Sequence, residues 1–360
     1  MSSDLPGMHG GNADVTPSPS VAAVAIEYPP HQVGQREALS GLTGFGGPQF
    51  DRFGASAGVE KRRIAMPLAD YGTLRGFTEA NDIFIETALE LGERAILASL
   101  DAANVTPDEV DVVFSTTVTG LAVPTLEARL ASRLGLRPDV KRVPLFGLGC
   151  VAGAAGVARM HDYLLAFPEH VSVLLAVELC SLTLQRDDSS IANLVAASLF
   201  GDAAGAVVAK GAARTPTGPR VLATRSRLYP DTEDVMGWDI GSSGFKIKLS
   251  SEVATVAEKY VGDDVRNFLS EHGLTPDDIS TWVCHPGGPK VIEAIEHTLD
   301  LPSTAMDHTR KSLRDNGNLS SVSVLDVLRA NMAEPPAPGS FGLMIAMGPA
   351  FCSELVLLGW

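Results

Sequence analysis

From Val21 onward the chain alternates between two hydrophobic patterns. Short runs of apolar and β-branched residues predict strands at Val21–Tyr28, Val110–Ser115, Arg142–Phe146, Val171–Val177 and Ala204–Ala209. Between them, apolar positions at helical spacing predict amphipathic helices. One covers Asp82–Leu100, through Ile83, Ile85, Leu89, Leu91, Ala95 and Leu97, and another covers Leu126–Leu134. Strands that are apolar at nearly every position have both faces covered, so the pattern predicts an α/β fold with helices on either side of its sheets.

The pattern also repeats. Residues 104–117 read NVTPDEVDVVFSTT and residues 273–286 read GLTPDDISTWVCHP, each a Thr-Pro-Asp turn, an acidic pair and a strand. Thr106 and Thr275 lie 169 residues apart, and the pairs Gly149-Cys150 and Gly317-Asn318, each followed by a run of small residues, lie 168 apart. Two landmarks whose offsets agree within one residue predict a duplicated unit: a tail over 1–20, one half over 21–212 and a second over 213–360. Duplicated α/β halves pack pseudo-symmetrically and place a site where they meet.

Composition narrows the function classes. The 360 residues are 45% hydrophobic and 20% charged, which excludes wholesale disorder. A net charge of -15 repels phosphate backbones and argues against a nucleic-acid partner. No apolar run reaches the ~18 residues of a membrane span. Four cysteines without a CxxC pair predict neither a disulfide scaffold nor a metal site. The Gly/Pro/Ser-rich N-terminus lacks a signal sequence's basic and apolar regions, and the expectation is a cytoplasmic protein with reduced thiols.

Three residues carry candidate chemistry. Cys150 follows a Gly-Leu-Gly turn and opens an Ala/Gly-rich helix, where unpaired N–H groups and the helix dipole favour a thiolate. A buried small hydrophobe is the alternative reading of the same thiol. His285 ends a strand ahead of Pro-Gly-Gly-Pro, well placed to enter a cleft or simply to sit in a turn. Neighbouring Cys284 alternates to the other face and reads as core. Asn318 occupies the echo of Cys150, as a helix cap or as a partner across the pseudo-twofold. A thiol, an imidazole and a carboxamide in one cleft can form an acyl thioester and stabilise an oxyanion.

The segments GLGCVAGAAG, SLFGDAAGAVV, CHPGGPK and GNLSSVSV, in that order and spacing, resemble the type III polyketide synthases, chalcone synthase-like condensing enzymes of the thiolase superfamily. The resemblance runs from about Val21 to Trp360 and is nearest to actinobacterial members that make alkylpyrones. Ketoacyl-carrier-protein synthases, the runner-up, usually carry His-Gln-Ala-Asn where this chain has His-Pro-Gly-Gly. A Cys-His-Asn thioester hydrolase shares the order of the three residues but needs no duplicated half.

The resemblance implies a thiolase-like duplicated αβαβα five-layered fold and a homodimer. It implies Cys150, His285 and Asn318 as the catalytic triad, with Phe200 as gatekeeper. The substrate cavity would be lined by Thr119, Cys180, Ile247, Ser320 and, reaching in from the partner, Val123. Ile247 stands where plant members carry a second gatekeeper Phe, and the family's Gly-Pro-Gly loop reads Gly348-Pro349-Ala350. Acyl-CoA and malonyl-CoA would be the substrates, with no further cofactor or metal. Arg52, Lys61, Arg62 and Arg63, the densest basic cluster of the N-terminal half, would receive the CoA phosphates. The compact residues Thr119, Val123 and Cys180 predict a tunnel for a medium- to long-chain fatty acyl starter, each buried CH₂ contributing ~0.8 kcal/mol.

Overall fold

The computed structural model describes residues 18–43 and 48–360. Most of the tail predicted over 1–20 lies outside the described residues, but Ser20 already belongs to the strand Ser20–Glu27, paired with Lys210. The other predicted elements are present with longer bounds: helix Phe77–Ala102 and strands Val110–Thr117, Lys141–Phe146, Val171–Leu179 and Asp202–Lys210. Helix Leu126–Leu134 has its predicted bounds, closed by Gly135 in the left-handed region.

The duplication is visible in the strand order. In the first half Val110–Thr117 runs parallel to Val171–Leu179, which pairs antiparallel with Asp202–Lys210, itself antiparallel to Ser20–Glu27. In the second half Ile279–Cys284 runs parallel to Phe341–Gly348, followed by antiparallel Cys352–Gly359 and Arg220–Leu228. A single pair, Ser20 with Arg220, joins the halves into one nine-stranded sheet among the described residues. The first half carries one extra edge strand, Lys141–Phe146.

Each half begins its central strand with the same device. Glu109 accepts hydrogen bonds from the backbone N–H and hydroxyl of Thr106, and Asp278 does the same for Thr275, each closing a 3-10 turn before the strand. Helices Ala152–Ala166 and Ser323–Ala333 form the middle layer and touch strands of both halves. Their approach depends on Gly153, where a Cβ would lie 2.2 Å from the Ser321 carbonyl oxygen. Helix Phe77–Ala102 covers the outer face of the first half, and helices Val253–Glu271 and Pro289–Leu299 cover that of the second. The apolar side chains accordingly gather in three large clusters, two outer and one central. Burial on both faces explains why every residue of Val171–Leu179 is buried. Among the described residues no helix is long and apolar enough to cross a membrane.

Candidate active site

The two middle helices begin beside each other, and the site forms around their starts. Strand Lys141–Phe146 leads through Gly147 and Gly149, both at positive φ, into the turn Gly149–Val151 that holds Cys150. Gly149 at φ 54° also faces Pro349, which a Cβ would meet at 2.8 Å, so neither the backbone angle nor the space admits a side chain. In the second half the turn Ser320–Val322 precedes helix Ser323–Ala333, and Asn318 stands just ahead of it.

Six of the residues expected at a substrate site meet around one cavity of about 50 Å³: Cys150, Thr119, Cys180, Phe200, Ile247 and Ser320. Cys150 Sγ lies 3.7 Å from the Ser320 hydroxyl. Ser320 N–H donates to Asn318 Oδ1 at 2.8 Å, which identifies that end of the amide as oxygen and leaves the NH₂ as the donor for a ligand. A backbone bridge ties Asn318 to Phe200: Asn318 N–H donates to Leu199 O (2.7 Å) and Gly201 N–H to Asn318 O (3.0 Å). His285 follows strand Ile279–Cys284, its N–H bonded to Ile345 O; it is buried, and its Nδ1 has no hydrogen-bond partner. An unpartnered ring nitrogen in a buried imidazole is available to a ligand or to a proton in transit.

Burial dominates the protonation states. It pushes the Cys150 thiol up to about 12, against a smaller lowering by the Ser320 hydrogen bond, and His285 down to about 4. Burial thus opposes the thiolate that the helix start favours, and it opposes the imidazolium form of His285.

Reasoning from the sequence missed Glu178, which lies beneath the cavity. Its carboxylate accepts hydrogen bonds from Ser321 Oγ (2.6 Å), Thr119 Oγ1 (3.0 Å), Val118 N (3.2 Å) and Ser320 Oγ (3.4 Å). It thereby fixes the two hydroxyls, Thr119 and Ser320, that line the cavity. Burial pushes it up to about 7, with those donors opposing. An acidic residue inside the apolar run VSVLLAVELC was the available signal. Trp238 and Met236, on the hairpin that carries Ile247, complete the apolar wall and were also missed.

Other expected residues lie elsewhere. Val123 is 92% exposed and does not reach the cavity of its own chain. Arg52 and Lys61 are exposed and Arg63 is half-buried, placements open to a ligand. Arg62 is not: its side chain is wholly buried, and its guanidinium bonds the carbonyl oxygens of Ala197, Ser198 and Phe200, each at 2.8 Å. That arrangement withdraws Arg62 from the expected phosphate-binding cluster, because a strand alternates its side chains and only the flanking Lys61 and Arg63 point outward.

Residues 68–214 match the model for the N-terminal domain of chalcone and stilbene synthases, and residues 220–359 match that for the C-terminal domain. The chain is 51% identical over 351 residues to a 1,3,6,8-tetrahydroxynaphthalene synthase of Streptomyces peucetius subsp. caesius, covering 95% of this chain and 93% of that protein. It is 36% identical to a putative chalcone synthase of Bacillus subtilis, over 84% of this chain and 86% of the relative. The crystal structure of the 1,3,6,8-tetrahydroxynaphthalene synthase of Streptomyces coelicolor superposes with a TM-score of 0.90 at 29% identity, covering 95% of this chain and 99% of that one.

Proposed function

We propose a reaction from one premise: this chain belongs to the chalcone and stilbene synthase family and is a type III polyketide synthase, an acyltransferase-type condensing enzyme. In that reaction His285 takes the proton of Cys150, whose sulfur attacks a CoA thioester. The acyl–S bond to CoA breaks, CoA leaves as the thiol with the proton returned from His285, and Cys150 carries the acyl chain. Malonyl-CoA then binds with its thioester oxygen at a ring N–H of His285 and at the Asn318 NH₂. Loss of CO₂ leaves an enolate whose charge develops on that oxygen, where two fixed donors are most effective. The enolate carbon attacks the acyl group on Cys150, the Cys150–acyl bond breaks to release the Cys150 thiolate, and the extended chain stays on CoA. Phe200 presents an apolar face beside the departing carboxylate. Arg52, Lys61 and Arg63 receive the CoA phosphates, and the enzyme works as a homodimer.

For substrate we take malonyl-CoA as both starter and extender, with a small hydroxylated aromatic product of the tetrahydroxynaphthalene kind. The observation that carries this reading is the wall of the cavity beside Cys150, formed by Phe200, Met236, Trp238 and Ile247. Those bulky walls suit a short acyl group. The relative at 51% identity, whose name gives such a product, points the same way. A second reading keeps the medium- to long-chain fatty acyl starter and an alkylpyrone product. It is favoured by the compact Thr119 and Cys180, which line the cavity without adding charge. Incubation with malonyl-CoA alone, and then with dodecanoyl-CoA added, separates the two by mass spectrometry. An aromatic product from malonyl-CoA alone supports the first reading. No product until the long starter is supplied overturns it in favour of the second.

A further inference from the structure

We infer that Arg62 is a positioning residue for decarboxylation, setting Phe200 and Asn318 with respect to Cys150 from a buried site that no substrate touches. Helix Ile191–Leu199 ends directly before Phe200. The last turn of any helix leaves carbonyl groups without partners, and a cation there is favoured by the dipole. Here no left-handed residue closes the helix: Phe200 turns directly into extended backbone at φ -81°, ψ 145° and leads into strand Asp202–Lys210. The orphan carbonyls fall to Arg62, whose Nη1 donates to Ala197 O and Phe200 O and whose Nη2 donates to Ser198 O and to Gln35 Oε1. Gln35 in turn donates to Ser198 O at 2.9 Å and Gly54 O at 3.2 Å, so Ser198 O is held from two sides.

Three consecutive residues then alternate between two anchors. The Leu199 carbonyl accepts from Asn318, the Phe200 carbonyl accepts from Arg62, and the Gly201 N–H donates to the Asn318 carbonyl. The segment that puts the Phe200 ring into the cavity is thus clamped by Arg62 on one edge and stitched to Asn318 on the other. No slack exists at Gly201, where a Cβ would lie 2.3 Å from Asn316 O and 3.3 Å from the Arg62 Cβ. A shift of this segment moves a cavity wall and the Asn318 backbone together. Cys150 itself sits on a different turn and helix. Burial lowers the Arg62 guanidinium to about 10, with Asp202 opposing, so it remains charged at neutral pH.

The inference rests on the proposed decarboxylating role of Phe200 and Asn318. Its test compares wild type, Arg62→Met and Arg62→Lys in CO₂ release from malonyl-CoA and in alkylation of Cys150 by iodoacetamide, located by peptide mass mapping. The expected result for Arg62→Met is a fall of at least tenfold in kcat for CO₂ release, with KM and the Cys150 alkylation rate within twofold of wild type. Arg62→Lys, which keeps the charge but not the fork of donors, is expected to recover part of kcat, and it decides the matter if Arg62→Met does not fold. Loss of CO₂ release and alkylation by one common factor would mean a purely structural role. A raised KM with kcat retained would mean a CoA contact, and unchanged kinetics in a folded variant would mean no role. Each of these overturns the inference while leaving the reaction in place. A wild type that releases no CO₂ from malonyl-CoA overturns the functional reading, and this inference with it.

Discussion

Asn318 and Glu178 show how single side chains divide the work of the site. The Asn318 carboxamide is oriented by Ser320 N–H, so its NH₂ is aimed before any substrate arrives. In the proposed reaction, replacing it by Ala removes one donor from the developing enolate, and loss of one such donor lowers rates by ~10²–10³-fold. The expected outcome for Asn318→Ala is that fall in kcat for CO₂ release from malonyl-CoA, with alkylation of Cys150 little changed. Glu178 makes its mark through pH. Its ordinary value is 4.5, and burial holds it near 7 in the folded protein. Below pH 4.5 both folded and unfolded forms carry the proton. As pH rises towards 7 the unfolded chain releases it first, so the unfolded state is favoured and stability falls across that window. In Glu178→Gln this group no longer titrates. Thermal unfolding from pH 4.5 to 7 should show the melting temperature of Glu178→Gln gaining on wild type, and a constant gap would contradict the assignment.

Whole elements decide how faithfully the two halves present these residues. The middle helices meet where Gly153 faces the Ser321 carbonyl, one residue from Ser320 and within the group that bonds Glu178. Gly153→Ala forces the helices apart or shifts that turn, and overpacking of this kind costs about 1–3 kcal/mol. The expected outcome is a lower denaturant midpoint together with reduced condensation, since the displaced turn carries the hydroxyl beside Cys150. At this scale the sequence was partly legible, for reasons that differ between elements. The Thr106 and Thr275 turns were readable because a capping box is local, its partners three residues apart. Helix Phe77–Ala102 was found, and its buried face in part: Leu89, Leu91 and Ala95 are buried as expected, Phe84, Ala88 and Ile96 are buried as well, and Leu97 is 43% exposed. This helix packs on strands on one side and on helix Leu126–Leu134 on another, so no single apolar stripe marks its inner face. Arg62 was not readable at all, because its carbonyl partners lie 135 to 138 residues away and nothing in KRR distinguishes a buried middle arginine from a basic surface run.

At the scale of the molecule, the pseudo-symmetry is broken at one edge, and that edge bears on assembly. Strand Lys141–Phe146 ends the nine-stranded sheet, pairs only with Val110–Thr117, and has no counterpart among the described strands of the second half. An unpaired edge offers a row of free backbone donors and acceptors to another chain. Phe146 at its end is 53% exposed, and the neighbouring loop exposes Leu121 at 40% and Val123 at 92%. Arg142 fastens that loop to the strand, its guanidinium 3.5 Å from Thr125 Oγ1 and 3.7 Å from the Glu127 carboxylate. Edge and loop therefore form one continuous face on which apolar side chains are presented rather than hidden. A second copy of the chain is the occupant that the proposed homodimer supplies, and Val123 is the side chain that burial there would change most. Light scattering at micromolar concentration should give twice the 37.8 kDa of one chain. Val123→Asp places a charge in that contact and should shift the mass towards a single chain, with loss of condensing activity. A wild-type mass of one chain would overturn the homodimer, and a Val123→Asp protein that stays paired would move the interface away from this edge.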